Sequence, residues 1–371
     1  MSLSLSLSLS LLIFTSFALM SCGEFVGYKD NDVDIGNIQK LELFLSDGDL
    51  HKLYSTLTLD TTAPCSVIYN DWHGYGTLNI RGQSSRIQPK KSFTLKVDEK
   101  KYVLERGEDD GGLYNRIAMR AYQLAGLSSC NTSSVALFLN EEYLGCYNFI
   151  DYYKEDILGG ELYKMHLENY DNIGESYLLS HKSEKEFPKD DNLSNLNNLL
   201  ALVVSLSDTD WCQYVLDNMD IESIAAYLAV HDFLTVKDTS SVNFYIHFDG
   251  KYRILPWDNE QSLQKKRSKY KLCNDNELIR RLASVPEVKN AYNQKMHSFF
   301  LGSGSGGGSS YILDTLKKEA GIMFDSLVTA MEKDPEFGTS KQNFMKIKSY
   351  VLNYLDKDTG RATEVEALTL H

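Results

Sequence analysis

The segment that most constrains this chain runs from Asn243 to Asp258. Asn243-Phe244-Tyr245-Ile246-His247-Phe248 and Lys251-Tyr252-Arg253-Ile254-Leu255-Pro256-Trp257-Asp258 flank the dipeptide Asp249-Gly250. Aromatic and β-branched runs on either side of Asp-Gly are a strong β-hairpin signal. A two-residue turn pairs Phe248 with Lys251 and Asn243 with Pro256, so Asp258 lies at the same open end as Asn243. Neighbouring strands bring such residues within a diagonal reach of ~7–8 Å. Asp238 lies just upstream, in Asp238-Thr239-Ser240-Ser241-Val242-Asn243. A loop Asp, a strand-start Asn and a strand-end Asp therefore converge on one edge. Phosphoryl transfer calls for such a set: one Asp orients or deprotonates a hydroxyl, while Asn and a second Asp hold Mg²⁺ on the phosphates. Asp and Asn are also common turn and cap residues, so the pattern alone leaves both readings open.

Around this hairpin the chain divides by periodicity. Leu41, Leu43 and Leu45 alternate with Lys40, Glu42 and Phe44, a half-buried strand beginning near Ile38. Gly76–Ile80, Ser92–Val97 and Lys101–Leu104 read as further strands, and Val135–Leu139 with Tyr143–Ile150 as a hairpin across Asn140-Glu141-Glu142. Tyr114–Leu124 is helical. The second half is helix-rich: Asn192–Leu206, Ile221–Leu234 behind an Asp220 N-cap, Asn276–Leu282, Tyr311–Met331 and Lys341–Leu355. The expectation is an α+β chain with a smaller β-rich lobe over 38–160 and a larger helical lobe over 161–371. The second holds the candidate catalytic hairpin, 238–258.

Residues 1–21 carry no charge and run into Cys22 through Leu19-Met20-Ser21. The apolar run is too short for a comfortable membrane span and resembles a signal peptide. Leu-x-Ser-Cys also resembles the bacterial lipobox, in which the Cys becomes the lipidated first residue. The expectation is a signal peptide over 1–21, lipidation at Cys22 and a polar tether over 22–37. The chain is then an exported lipoprotein of the bacterial cell envelope, at the outer membrane or cell surface, held by its lipid alone. Five cysteines remain, Cys65, Cys130, Cys146, Cys212 and Cys273, widely spaced and without C-x-x-C. They read as buried small hydrophobes, with room for one or two disulfides.

With 38 Lys+Arg against 51 Asp+Glu the formal net charge is −13. No clustered basic surface is visible, which argues against nucleic-acid binding. Two motifs are set aside. Gly302-Ser303-Gly304-Ser305-Gly306-Gly307 matches G-x-G-x-x-G but follows no strand and has linker composition. His231-Asp232 sits inside a helix without further His partners at metal spacing. Phosphate-binding candidates lie earlier. Lys91 shares a strand face with Phe93, Leu95 and Val97, the buried one, while Lys90 falls with Ser92, Thr94 and Lys96 on the wet one. Lys91 then calls for a charged partner, nucleotide phosphate or Asp151, unless its amine snorkels to water. Arg81 is suited to clamp a phosphate, or to a surface salt bridge. Ser84 and Ser85 offer hydroxyl and backbone donors beside Gly82, or simple turn chemistry.

Several segments together resemble the CotH kinase family, the spore coat protein H-like proteins. They are Ile80-Arg81-Gly82-Gln83-Ser84-Ser85-Arg86 with Pro89-Lys90-Lys91-Ser92-Phe93; Asn140-Glu141-Glu142-Tyr143-Leu144-Gly145-Cys146-Tyr147; Asp238 to Asn243-Phe244-Tyr245; Pro256-Trp257-Asp258; and Asn276-Glu277-Leu278-Ile279-Arg280-Arg281-Leu282. They occur in the family's order. The resemblance implies an atypical protein-kinase-like, two-lobed fold and phosphorylation of proteins that depends on ATP and Mg²⁺, or Mn²⁺. Carried over by position, it implies Asp238 as catalytic Asp, Asn243 and Asp258 as metal ligands, and the Arg81–Ser85 segment near the phosphates. Two departures stand out. Asp258-Asn259-Glu260 replaces the family's common Asp-x-Asp, leaving Glu260 as a longer candidate ligand. Asp151 stands where the family often has Glu. The expected target is Ser or Thr of an exported or surface protein, basic or Ser-rich to suit the acidic chain. The alternative is a non-catalytic surface module that binds a protein or glycan.

Overall fold

The computed structural model describes residues 28–29, 33–55, 61–82, 84–98, 100–165, 184–190, 192–236, 243–263, 276–301, 311–363 and 365. Cys22, Asp238 and the G-x-G-x-x-G segment lie outside the described residues, and so do the side chains of Ser84 and Ser85. The chain is mixed α+β, as its periodicity predicts, and falls into two compact units. The first takes residues up to 111 with 134–149 and 329–340; the second takes 112–133, 150–328 and 341–371.

In the first unit the strands close into a barrel. They are β2 (Gln39–Phe44), β3 (Thr62–Tyr69), β4 (Trp72–Arg81), β5 (Ser92–Val97), β6 (Lys100–Arg106), β7 (Asn131–Leu139) and β8 (Glu142–Asp151). Their order is β8-β6-β5-β4-β3-β2-β7, and β7 pairs back onto β8, so the seven strands leave no free edge between them. The short β1 (Tyr28–Lys29) adds to β8 at Tyr143 and Glu142. One pairing is parallel, β2 on β7 from Gln39↔Val135 to Leu43↔Leu139. The alternation read from sequence is the barrel's filling: Leu41, Leu43, Phe93, Leu95 and Val97 are buried, with Leu78, Ile80, Leu104, Val135 and Leu137. The expected β-rich character holds, and closure of the strands into a barrel adds to it. Pairing between strands far apart in sequence, as in β2 with β7, has no local signal.

The β7–β8 turn is tighter than its sequence suggests. Asn140 and Glu141 both take positive φ, 48° and 69°, in a two-residue turn, and β8 starts at Glu142. Asn140 also accepts Leu45 N–H at 2.8 Å and donates to Leu45 O at 3.0 Å, tying the turn to the end of β2.

The second unit is built on a buried helix and a small sheet. Helices are α1 (Asp47–Ser55) in the first unit, then α2 (Leu113–Leu124), α3 (Glu155–Leu158), α4 (Ser194–Ser205), α5 (Asp208–Asn218), α6 (Ile221–Phe233), α7 (Glu277–Ser284), α8 (Pro286–Met296), α9 (Tyr311–Glu332) and α10 (Lys341–Tyr354). Helix α6 is buried nearly all round, from Ile224 through Phe233. His231 is buried within it, so a packed helix residue is the right reading. Asp220 caps α6 as predicted, accepting Ser223 N–H at 3.1 Å, and also takes Arg253 Nε at 2.8 Å. The hairpin is thereby fastened to the start of the helix.

The hairpin is β11 (Phe244–Phe248) and β12 (Tyr252–Pro256), and it sits in a four-stranded sheet β10-β9-β11-β12 with β9 (Glu161–Lys164) and β10 (Glu184–Phe187). Its register differs by one residue from the expectation: Phe248 faces Tyr252 and Phe244 faces Pro256. A two-residue turn of the Asn140 kind needs positive φ at both centres, and here only Gly250, at 101°, has it. Asp249-Gly250-Lys251 is therefore a three-residue connection. Asn243 falls just outside the ladder instead of opposite Pro256. Among the described cysteines, Cys65, Cys130 and Cys146 are buried free thiols and Cys212 is a half-buried one. No helix among the described residues is long and apolar enough to cross a membrane.

Candidate functional site

The open end of the hairpin gathers the candidate metal ligands. Asn243 directly precedes β11, and Asp258 follows β12 by two residues at the same end of the sheet. Asp258 holds a left-handed backbone, φ 56°. That conformation costs a non-glycine residue roughly 1 kcal/mol and is tolerated best by Asn and Asp. The turn it makes brings Asp258 and Glu260 together: each offers a carboxylate oxygen, and these lie within 4.8 Å. Two anionic oxygens this close repel, and a cation between them relieves the repulsion. A pair of hard oxygen donors suits Mg²⁺ or Mn²⁺, so the residues present fit the metal that the sequence implies. The Glu of the Asp-x-Glu departure reaches its partner despite the extra methylene.

The phosphate candidates lie in the first unit. Arg81 ends β4 opposite Ser92 of β5 and is half-buried. The chain then turns at Gly82, φ 102°, into a short 3₁₀ segment over Ser84–Ile87, where Arg86 Nε reaches back to Gly82 O at 2.7 Å. Lys91 Nζ donates to Arg86 O at 2.8 Å and to Gln88 O. It thereby staples the segment to the barrel. A lysine ammonium has three donors, which leaves one uncommitted among the described residues. Burial pushes the Lys91 ammonium below its usual range, the Glu336 carboxylate opposes this, and the Arg106 guanidinium adds to it.

Lys90 departs furthest from its sequence reading. Alternation puts it on the wet face; it is 1% exposed. Its amine donates to Asp334 Oδ2 at 2.6 Å, Cys146 O at 2.8 Å and Gly107 O at 3.3 Å. Strand β5 begins at Ser92, so the alternation does not extend back to Lys90 and Lys91, and both turn inward. Asp334 is equally saturated, accepting Cys146 N–H on Oδ2 and the N–H groups of Glu336 and Phe337 on Oδ1. This pair is structural, and no local pattern marks Asp334 as its acid.

Asp151 ends β8, and its Oδ2 accepts Lys154 Nζ at 2.7 Å. Its Oδ1 is buried without a hydrogen bond among the described residues. The Asn276–Leu282 motif has a structural part. Asn276 caps α7, accepting Ile279 N–H, and buried Arg281 donates to the carbonyls of Val203, Leu206 and Ser207 at the end of α4. Sequence reasoning also passes over Asn115 and Asn259, both fully buried beside the metal candidates. The one local sign is an Asn between two acids.

Comparison with known proteins bears on this arrangement. A family model described as CotH kinase protein matches residues 78–300. Comparison with curated proteins gives no match. Among solved structures the chain is similar to a Helicobacter pylori proinflammatory kinase, CtkA, at 11% identity and TM-score 0.29, over 75% of this chain and 95% of that one. It is also similar to the open conformation of CtTel1, at 10% identity and TM-score 0.35, over 91% of this chain and 14% of that one. Both structural likenesses are too weak to carry an argument. The family match spans more than half of the chain and contains the hairpin, Asn243, Asp258 and Glu260, and on that ground the chain belongs to the CotH kinase protein family.

Proposed function

We propose that the protein is an exported, lipid-anchored protein kinase that transfers the γ-phosphoryl group of ATP to Ser or Thr of another exported or surface protein. The observation that carries this reading is the Asp258–Glu260 carboxylate pair, at the end of the hairpin, in a chain of a kinase family. A divalent cation held there supplies charge neutralisation on the phosphates. Asp258 and Glu260, with Asn243 beside them, hold that cation. Asp238 orients the hydroxyl and receives its proton. Arg81 and the uncommitted N–H of Lys91 bind phosphate oxygens, with Ser84 and Ser85 contributing donors from the same segment. The kinase-like arrangement of two lobes, with the nucleotide between them, belongs to this proposal.

With a formal net charge of −13 the overall field does not attract ATP, so binding rests on the cation and on local groups such as Arg81 and Lys91. The same field favours a basic or Ser-rich substrate segment. Lipid on Cys22 would place the enzyme at the cell envelope. One observation favours the non-catalytic alternative: Asp151 is engaged by Lys154, three residues away, rather than by a strand lysine. Incubation of the purified protein with labelled ATP, Mg²⁺ or Mn²⁺ and candidate proteins decides between them. Label transfer that disappears in Asp238→Ala and Asp258→Asn supports the kinase. Absence of nucleotide binding with either metal refutes it in favour of the binding module.

A further inference from the structure

The segment that carries Asp258 and Glu260 is held by helix α2, which none of the family-like motifs includes. Asn115, in the first turn of α2, is fully buried, and its Oδ1 accepts the N–H of Asn259 at 3.3 Å. One turn along, Met119 Sδ lies 3.9 Å from Asn259 Nδ2. Beyond Glu260 a second tether runs to the same helix, Ser262 Oγ donating to Tyr114 O at 3.0 Å. Ser262 N–H closes the turn on Asn259 O at 3.1 Å, and Leu263 N–H bonds Leu234 O at 2.7 Å, just past α6.

A fully buried Asn is a poor choice for a helix on propensity and on desolvation alike. It persists where its polar atoms have work. Here the acceptor meets the peptide N–H that stands between two acids, next to a residue with φ 56°. The directions of the Asp258 and Glu260 side chains depend on the dihedrals of that peptide. The side chain of Asn259 adds only the weak contact of its Nδ2 with Met119 Sδ, and its Oδ1 is buried without a hydrogen bond among the described residues. Strained backbone of this kind survives only when its surroundings over-determine it.

We propose that α2 is the positioning element of the metal site and acts chiefly through Asn115, which fixes the peptide between Asp258 and Glu260 and so the separation of their carboxylates. The proposal rests on the reading of those carboxylates as metal ligands. In this proposal Asn115 is not a ligand; it works through Asn259.

The test uses the full chain and Mn²⁺ alone, titrated by electron paramagnetic resonance, with the thermal midpoint measured separately in chelator. Asn115→Ala is expected to weaken Mn²⁺ about 10- to 100-fold, the range for groups that orient ligands. Asn115→Asp keeps an acceptor oxygen and is expected to recover most of that affinity, whatever either change does to the midpoint in chelator. Wild-type affinity in Asn115→Ala, or equal weakness in Asn115→Asp, overturns the proposal. If Asn115→Ala does not fold, Ser262→Ala removes the second tether without altering the helix. A several-fold loss of Mn²⁺ affinity then supports positioning by α2, and unchanged affinity overturns it. Failure of the underlying reading looks different: wild type then binds no Mn²⁺, or Asp258→Asn binds it as wild type does.

Discussion

Two polar clusters, one in each unit, are balanced in opposite ways. Around Lys90 and Asp334 opposite charges meet and every donor finds an acceptor: three acceptors for the ammonium, and the ammonium plus three backbone N–H groups for the carboxylate. Around Asp258 and Glu260 two like charges approach within 4.8 Å, and the buried Asn259 Oδ1 between them lacks a hydrogen bond among the described residues. The first cluster is complete by itself and holds a barrel together. The second brings together carboxylate oxygens of the kind that hold a divalent cation. A buried charge paired on every side marks architecture, whereas two carboxylates drawn together at the end of a hairpin mark a candidate binding site.

Breaking the paired cluster should have the largest effect on stability. Asp334→Ala leaves the Lys90 ammonium buried without its counter-ion, and the expected loss is about 3–5 kcal/mol in denaturant unfolding. A loss under about 1 kcal/mol would mean that the pair is not the closure it is taken for. Gly145 tests the same cluster from the strand side. Its φ is 107°, and an added Cβ would lie 2.1 Å from Asp334 Oδ2, so Gly145→Ala should cost about 1–3 kcal/mol.

The acidic cluster should behave in the reverse way. Asp258→Asn keeps a residue that tolerates left-handed backbone and relieves the repulsion with Glu260. Its stability in chelator should stay within about 0.5 kcal/mol of wild type, while Mn²⁺ binding and label transfer fall by about 100-fold or more. A variant that loses stability but keeps Mn²⁺ binding would erase the contrast. A smaller effect calibrates the scale: Asn140→Ala removes both bonds to Leu45 and should cost about 1–2 kcal/mol by thermal unfolding.

The smallest effect is a matter of pH. Asp356 accepts from Lys317, from the N–H of Asp358 and from the Thr359 hydroxyl, and these hold its carboxyl down to about 2. A carboxyl depressed in the folded state stabilises above its unfolded pKa, and that contribution is lost as pH falls from about 4 toward 2. Asp356→Asn should therefore flatten a small part of the acid-side decline in the thermal midpoint. Both partners are partly exposed, so added salt should shrink the difference.

Much of this was legible locally. Leu41, Leu43, Phe93, Leu95 and Val97 announce their strands because side chains alternate with period two, whatever the partner strand. Asp220 and Asn276 announce helix starts because a cap bonds an N–H three residues away. Asp249-Gly250 announces the hairpin, and two of its flanking residues, Asn243 and Asp258, come out at one end even with the register shifted by a residue. The carboxylate pair of the candidate site was legible for the same reason: its acids sit close together in sequence, at a hairpin end and in an Asp-x-Glu.

What folding alone decided is non-local. Lys90 and Lys91 are adjacent, and alternation assigns them opposite faces, but the strand that would enforce alternation starts one residue later. Asp334 then selects Lys90 across more than half the chain, because a buried ammonium must find an acid wherever the fold delivers one. The closing of β7 on β8, the parallel match of β2 with β7 and the approach of Asn115 to Asn259 have the same character. Hydrogen bonds between segments far apart in sequence depend on the packed arrangement of everything between them. Periodicity and capping report on a residue's immediate neighbours, and carry no record of that arrangement.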